Sequence, residues 1–62
     1  MKLNKKNAQA WTILGNIRLI SNKTKKAIVY YEQALTINPN YVQAKTGLGN
    51  AYLQMKNTDK AI

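Results

Sequence analysis

The chain has 62 residues and a mass of 7.0 kDa, which limits it to one small domain. Ten basic residues against two acidic ones give a net charge of +8 and favour acidic partners. The absence of cysteine and histidine excludes disulfides, thiolate or imidazole metal ligands and catalysis through either side chain. No segment approaches the ~20 apolar residues that span a bilayer, and we expect no signal peptide, so a cytoplasmic or organelle-interior location is favoured over secretion.

The first predicted helix covers residues 8–21. Apolar side chains recur at Trp11 and Leu14 at a spacing that fits a helix and not a strand. Asn7 is the predicted N-cap, because a side-chain oxygen there can accept from the free amides of the first turn. Asn22 follows the helix and tolerates the left-handed conformation that ends many helices.

The second predicted helix starts near Thr24, which is the predicted N-cap. Ala27, Tyr31 and Ala34 follow at intervals of four and three residues and form one helical stripe. Pro39 ends this helix, because proline disfavours the helical conformation of the residue before it.

The third predicted helix runs from about Val42 to Met55. Asn57-Thr58 then resembles the sequence Lys23-Thr24 between the first two helices, which predicts another turn. A fourth helix is predicted to begin at Asp59.

The chain repeats itself with a period of 34 residues. At that shift residues 8–28 face residues 42–62, and 11 of the 21 pairs are identical, far more than chance provides. The longest identical block is Leu14-Gly15-Asn16 over Leu48-Gly49-Asn50. Such a period is typical of stacked helical hairpins, each of which needs a neighbour to bury its apolar face.

The predicted organisation has three parts. Residues 1–7 form a basic N-terminal arm that aligns with the end of a repeat, residues 8–41 form the first repeat, and residues 42–62 form a partial second repeat with the first helix and the start of the second. We therefore expect a piece of a longer array, with a complete minimal domain as the alternative.

The chain resembles the tetratricopeptide repeat (TPR) family. The residues that carry the resemblance are Trp11, Leu14, Gly15, Ala27, Tyr31, Ala34 and Pro39 in the first repeat and Leu48, Gly49, Tyr52 and Ala61 in the second. Arg18 and Lys45 depart from the pattern, since the family has Tyr and Trp at those positions. The resemblance implies an all-α fold of helix-turn-helix repeats, a fragment of the right-handed superhelix of an α-solenoid.

Glycine within a helix costs about 1 kcal/mol relative to alanine, so it needs a reason. We expect Gly15 and Gly49 to allow close approach of neighbouring helices. Trp11, Leu14, Gly15 and Arg18 are the predicted core side of the first helix, at helical spacing.

The opposite helix face would line the concave groove in which the family binds peptides or helices. The candidate groove residues are Gln9, Thr12, Asn16, Ile20, Gln43, Thr46, Asn50 and Gln54. Amides and hydroxyls can hold a peptide backbone without requiring charge. Capture of a C-terminal carboxylate is disfavoured, because Thr12 stands where the family places a lysine for that purpose. The alternative for each residue is an ordinary solvated helix face.

Lysines cluster near the predicted turns and would form a basic rim in stacked repeats. These residues are Lys5, Lys6, Lys23, Lys25, Lys26, Lys56 and Lys60. The rim would keep the protein soluble, or it would bind an acidic protein, anionic lipid or RNA. Contacts to RNA would be mainly to phosphates, so binding would weaken as the salt concentration rises.

The sequence has no set of side chains typical of a catalytic site, metal site or cofactor motif. Glu32 and Asp59 are the only carboxylate side chains, and they lie in different repeats. We predict a non-enzymatic protein–protein interaction module, a scaffold or adaptor whose partner is another, possibly acidic, protein or peptide. The alternative is a basic RNA- or ribosome-associated helical repeat protein. An uncovered face of the third helix, with Leu48, Ala51, Tyr52 and Met55, predicts self-association.

Overall fold

The computed structural model describes the backbone of residues 7–61 and the side chains of residues 7–56. Helix α1 spans Ala8–Ile20, α2 spans Thr24–Ile37 and α3 spans Val42–Ala61, with no strand in this part of the chain. The all-α prediction is confirmed. The predicted turn at Asn57-Thr58 and the helix start at Asp59 are wrong, because α3 continues through both. Extending α3 adds a hydrogen bond per residue without the cost of nucleating a new helix.

The ends of α1 follow the predicted capping pattern. The Asn7 side-chain oxygen accepts from the backbone amides of Gln9, at 3.0 Å, and Ala10, at 3.4 Å. Asn22 adopts a left-handed conformation with φ of 67°. The amide of Lys23 donates to the carbonyl of Arg18 at 2.8 Å, which closes a Schellman motif and turns the chain toward α2.

The start of α2 differs from the prediction. Thr24 is the first helical residue, and Lys23 at the N-cap position makes no side-chain capping bond. The Thr24 hydroxyl donates instead to the side-chain oxygen of Gln54 on α3, at 3.3 Å. The end of α2 is as predicted, since Asn38 before Pro39 is extended, with φ of −138° and ψ of 93°.

The core consists of small residues around one aromatic ring. Ala27, Tyr31 and Ala34 of α2 are fully buried, as are Ala44 and Ala51 of α3. Small side chains let the helices approach closely, and the Tyr31 ring fills the space between α1 and α3.

The predicted core side of α1 is partly wrong. Its buried residues are Ala8, Thr12 and Gly15, whereas Trp11 and Leu14 are half-buried. Arg18 is also half-buried, with its Nε atom enclosed and without a hydrogen bond. The small residues of α1 face α2, because only they allow α1 to pack against the α2 backbone and the bulky Tyr31 ring.

Candidate interaction surface

Tyr31 is held between glycines of two different helices. An ideal Cβ on Gly15 would lie 2.7 Å from Cε1 of Tyr31, and one on Gly47 would lie 2.5 Å from the same atom. Both distances are shorter than side chains tolerate, so the ring requires glycine at each position. A Cβ on Gly49 would meet no atom within 4 Å, so the close approach predicted for Gly49 does not occur within the described structure.

The Tyr31 hydroxyl donates a hydrogen bond to Oδ1 of Asn16. Burial of the phenol raises the pKa of Tyr31 above its usual value of 10.0, because the phenolate form would lose its hydration. The ring contacts and the hydroxyl bond together define the Tyr31 seat, which comprises Gly15, Asn16 and Gly47.

The candidate groove residues do not share one environment. Gln9, Asn16, Ile20, Gln43, Thr46 and Asn50 are exposed. Thr12 is 3% exposed and its hydroxyl donates to the carbonyl of Ala8 at 2.8 Å, so its predicted place on an open groove face is wrong. Position 12 falls on the stripe of α1 that packs against α2, one turn from Ala8 and Gly15.

Gln54 has a structural role that the sequence did not predict. Its side-chain nitrogen donates to Oδ1 of Asn22 at 3.0 Å, and its oxygen accepts from Thr24. These bonds fix α3 to the turn between α1 and α2. Gln54 is half-buried, so it contributes to helix packing more than to an open surface.

Exposed lysines surround that turn. Lys23, Lys25 and Lys26 are exposed at the start of α2, and Lys56 is exposed two residues beyond Gln54. The side chains of Lys5, Lys6 and Lys60 lie outside the described residues. An open depression of about 280 Å³ is lined by Lys25, Lys26, Val29 and Tyr30.

An aromatic pair, Trp11 of α1 and Tyr30 of α2, connects the two helices. The ring centroids of Trp11 and Tyr30 are 5.8 Å apart, and the rings are tilted by 31°. This geometry is within the range of favourable aromatic contacts.

The exposed apolar side chains on α3 agree with the prediction only at Tyr52. Ala51 is fully buried against α2, while Leu48 and Met55 are half-buried. The exposed set is Val42 at 70%, Tyr52 at 50% and Leu53 at 62% exposure. The exposed apolar face of α3 therefore shares Tyr52 with the predicted one, but extends to Val42 and Leu53 and not to Leu48, Ala51 and Met55.

Helices α1 and α3 present different faces to α2. α1 packs through Ala8, Thr12 and Gly15, whereas α3 packs through Ala44, Gly47 and Ala51. At the 34-residue shift, the α3 counterparts of the packed α1 face are Val42, Thr46 and Gly49, and all three are exposed. Thus α3 leaves exposed the positions that α1 packs against α2, as expected for units of a stack.

Two family models match the sequence, both described as the tetratricopeptide repeat, over residues 8–41 and residues 30–62. The chain belongs to the tetratricopeptide repeat family. The first match, residues 8–41, contains the hairpin of α1 and α2, and α3 packs on that hairpin. The family assignment supports a protein–protein interaction repeat module.

Three curated proteins are similar to the chain in sequence. The chain is 39% identical over 46 residues to anaphase-promoting complex subunit 8 of Arabidopsis thaliana, covering 74% of the chain and 8% of the relative. It is 36% identical over 61 residues to the Dictyostelium discoideum protein of the same name, covering 98% and 10%. It is 43% identical over 54 residues to the uncharacterized protein ycf37 of Pyropia yezoensis, covering 87% and 30%. The chain thus spans less than a third of each relative, and no solved structure matches significantly.

Within the described residues, no helix has the length and apolarity to cross a bilayer, and no three Asp or Glu side chains gather into a metal-binding group.

Proposed function

We propose that this TPR chain is a non-catalytic scaffold or adaptor segment that binds an extended peptide or helix of a protein partner across α1 and α3. One observation carries the proposal. The pair Gln9 and Asn16 on α1 recurs as Gln43 and Asn50 on α3, and all four side chains are exposed on helices that contact each other.

The side-chain amides of this surface are suited to bind a peptide backbone. Oδ1 of Asn16 accepts from Tyr31, and Oε1 of Gln43 accepts from the Tyr41 hydroxyl at 2.9 Å. The NH₂ groups of these two side chains can then donate to peptide carbonyls. Their orientation is set by hydrogen bonds within the chain, which lowers the entropy cost of binding.

Similarity to named assembly subunits supports the scaffold role. Two relatives are named as subunits of the anaphase-promoting complex. We infer from this likeness that the chain acts within a larger protein assembly, and that its partner is chosen by the residues of the α1 and α3 surface.

A displayed peptide library selected on the immobilised chain tests this proposal. Selected peptides should bind the Gln9→Ala/Gln43→Ala variant roughly 30-fold more weakly, since each lost hydrogen bond contributes about 1 kcal/mol. Gln33→Ala is the matched control, because Gln33 is exposed on α2 and lies outside the proposed surface. Equal binding to the double variant and the control would refute the amide surface.

The depression beside Lys25 and Lys26 supports a second candidate, a basic site for RNA. Val29 and Tyr30 complete its lining, so phosphate contacts would lie next to an aromatic ring. A gel-shift assay with single-stranded RNA should show binding that weakens steeply with salt and is lost in Lys25→Glu/Lys26→Glu. RNA binding unaffected by this charge reversal would exclude the depression as the site.

A further inference from the structure

We infer that the depression on α2 binds a single nucleotide through its terminal phosphate and its base, either as a free nucleoside 5′-monophosphate or as the phosphorylated end of a single strand. This inference rests on the second candidate function, RNA binding at the same depression, and names the chemical group that the depression recognises. It does not depend on the amide surface of α1 and α3.

The depression lies on the outer side of α2. Lys25 and Val29 are each two residues from the fully buried Ala27, and a rotation of about 100° per residue places them on the opposite side of the helix. The volume of about 280 Å³ is near the lower limit of small-molecule pockets, which is about 300 Å³. A depression of this size has room for one small ligand and not for an extended strand.

The lining residues combine positive charge with apolar surface one helical turn away. Val29 lies four residues after Lys25. Tyr30 lies four residues after Lys26, and residues at this spacing are neighbours on the helix surface, with about 5–6 Å between their Cβ atoms. An anion bound by the two ammonium groups would therefore hold its attached atoms beside Val29 and the Tyr30 ring. A nucleotide has this arrangement, since its ribose joins a phosphate to a flat base that stacks on aromatic rings.

The Tyr30 ring is positioned before a ligand binds. Tyr30 is half-buried, and its ring centroid is 5.8 Å from that of Trp11. A ring held in this way loses little conformational freedom when a base stacks on it, which lowers the cost of binding. Val29, which is 52% exposed, adds apolar surface to the same lining.

The charge of the depression favours a terminal phosphate over a phosphate within a strand. Lys25 and Lys26 supply two positive charges, and Glu32, the only carboxylate side chain among the described residues, is not part of the lining. A phosphate monoester carries a charge of about −1.5 to −2 at neutral pH, whereas a phosphate within a strand carries a single negative charge. The two lysines therefore match the monoester more closely.

An acidic peptide is a poorer occupant of the depression than a nucleotide. The side chain of an acidic residue carries one charge and has no flat ring that could stack on Tyr30. Because the net charge of +8 attracts any anionic ligand, binding alone does not distinguish the two. The contributions of the terminal phosphate and of the base must therefore be measured separately.

A labelled single-stranded RNA of about six adenosines tests the inference on the full chain at constant salt. Followed by fluorescence anisotropy, the strand with a 5′-phosphate should bind at least about fivefold more tightly than the same strand with a 5′-hydroxyl. Removal of the base next to the 5′-phosphate should weaken binding by at least about fivefold as well, because stacking is lost. Equal binding of the phosphorylated and hydroxyl strands, or no effect of the missing base, would overturn the inference.

Unlabelled competitors separate the free nucleotide from the strand end. Adenosine 5′-monophosphate should displace the labelled strand at concentrations at least about fivefold lower than either adenosine or ribose 5-phosphate requires. Displacement by the monophosphate at the affinity of the strand itself would assign the depression to free nucleotides. A strand that binds more tightly than the monophosphate would assign it to strand ends, and both results support the inferred chemistry.

Two double variants with the same change in charge test the lysines. Lys25→Gln/Lys26→Gln should remove the preference for the 5′-phosphate. Lys23→Gln/Lys56→Gln is the matched control and should keep it, since both lysines are exposed but lie outside the lining. A preference that is equally weakened in the two double variants would show that only the total charge of the chain matters, and would overturn the inference.

Tyr30→Leu should remove the difference between the complete strand and the strand that lacks its terminal base. Tyr52→Leu is the control, because Tyr52 is exposed on α3 and does not line the depression. Tyr30→Leu also loses the contact to Trp11, so circular dichroism must show the helix content of the natural sequence. Where it does not, the strand without the terminal base still decides the matter, because it changes the ligand and leaves the protein intact.

The outcomes separate this inference from RNA binding in general. RNA binding that is lost in Lys25→Glu/Lys26→Glu, but without any preference for the 5′-phosphate, would overturn the inference and leave the RNA site in place. Binding of adenosine 5′-monophosphate that depends on Lys25 and Lys26 would support the inference even if strands with a 5′-hydroxyl did not bind. An acidic peptide that displaces the labelled strand as well as the monophosphate does would overturn it, because the depression would then recognise charge alone.

Discussion

Three glycines of this chain lie within helices and have different reasons to be there. Gly15 and Gly47 both face the Tyr31 ring, whereas Gly49, two residues after Gly47, faces open space. Because all three occupy helix interiors, their intrinsic helix cost is similar, about 1 kcal/mol relative to alanine. Differences among their alanine variants therefore report the contact with Tyr31 and not backbone propensity.

Alanine at the three positions should change stability in opposite directions. Gly15→Ala and Gly47→Ala should each destabilise by up to about 2 kcal/mol, because the crowding cost of about 1–3 kcal/mol outweighs the propensity gain of about 1 kcal/mol. Gly49→Ala should stabilise by up to about 1 kcal/mol, or roughly 4–8 °C in melting temperature for a domain of this size. Thermal unfolding followed by circular dichroism measures all three; a destabilising Gly49→Ala would contradict the open environment of that residue.

Removal of the Tyr31 hydroxyl should change both stability and its pH dependence. Tyr31→Phe loses the bond to Asn16, which should cost about 0.5–1.5 kcal/mol at neutral pH. Burial raises the pKa of Tyr31 in the folded state, so its contribution is complete below the unfolded pKa near 10 and is lost as the pH rises through the higher folded pKa. Urea unfolding between neutral pH and about pH 11 should show a smaller alkaline loss in Tyr31→Phe than in the natural sequence. Identical alkaline losses would exclude Tyr31 as the titrating group.

At the scale of the elements, the turn between α1 and α2 determines how α3 is held. Asn22 has two functions there: its left-handed backbone ends α1, and its side-chain oxygen accepts from Gln54 of α3. Substitutions that separate these functions show which one stabilises the turn.

Asn22→Gly and Asn22→Ala both remove the amide, but only alanine also strains the backbone. The left-handed conformation costs a residue with a Cβ about 1–2 kcal/mol, and glycine avoids this cost. We expect Asn22→Ala to be less stable than Asn22→Gly by about 1 kcal/mol, measured as the shift of the urea midpoint at constant slope. Equal midpoints would mean that the left-handed backbone at position 22 costs alanine no more than glycine.

Local sequence patterns predicted where the helices begin and end better than which side of each helix is buried. The cap at Asn7, the left-handed Asn22 and the stop before Pro39 follow from backbone chemistry within a few residues, and the structure confirms them. Gly47 and Gln54 acquire their roles only when α3 packs on the preceding hairpin, so no local pattern predicts them. The burial of Thr12 was missed because a self-satisfied hydroxyl can occupy a helix contact that a polarity pattern assigns to solvent.

The 34-residue repeat predicted the stacking but not the exposed face of α3. The repeat makes Gly49 equivalent to Gly15, and its expected contact would require a helix packed on the far side of α3. The described residues place no helix there. Gly49 therefore has the sequence position of a helix contact but is exposed among the described residues.

At the scale of the whole molecule, much apolar surface is uncovered for so small a chain. Seven large apolar side chains among the described residues are at least 50% exposed, including Ile13, Ile17 and Ile20 on α1 and Tyr52 and Leu53 on α3. Apolar surface of this kind promotes association, while the net charge of +8 opposes contact between identical chains. The balance between these two effects depends on salt.

Self-association through α3 should therefore increase with salt. Between about 0.1 M and 1 M NaCl the screening length falls from about 10 Å to about 3 Å, which weakens repulsion between chains and leaves the apolar attraction in place. Sedimentation equilibrium should show a weight-average mass that rises above 7.0 kDa with both salt and protein concentration. Leu53→Gln on α3 should reduce this rise in mass. Ile20→Gln is the matched control and should leave the rise unchanged, because Ile20 is even more exposed, 85% against 62% for Leu53, but lies on α1. A mass that stays at the monomer value throughout would show that the open face of α3 does not bind a second copy of the chain.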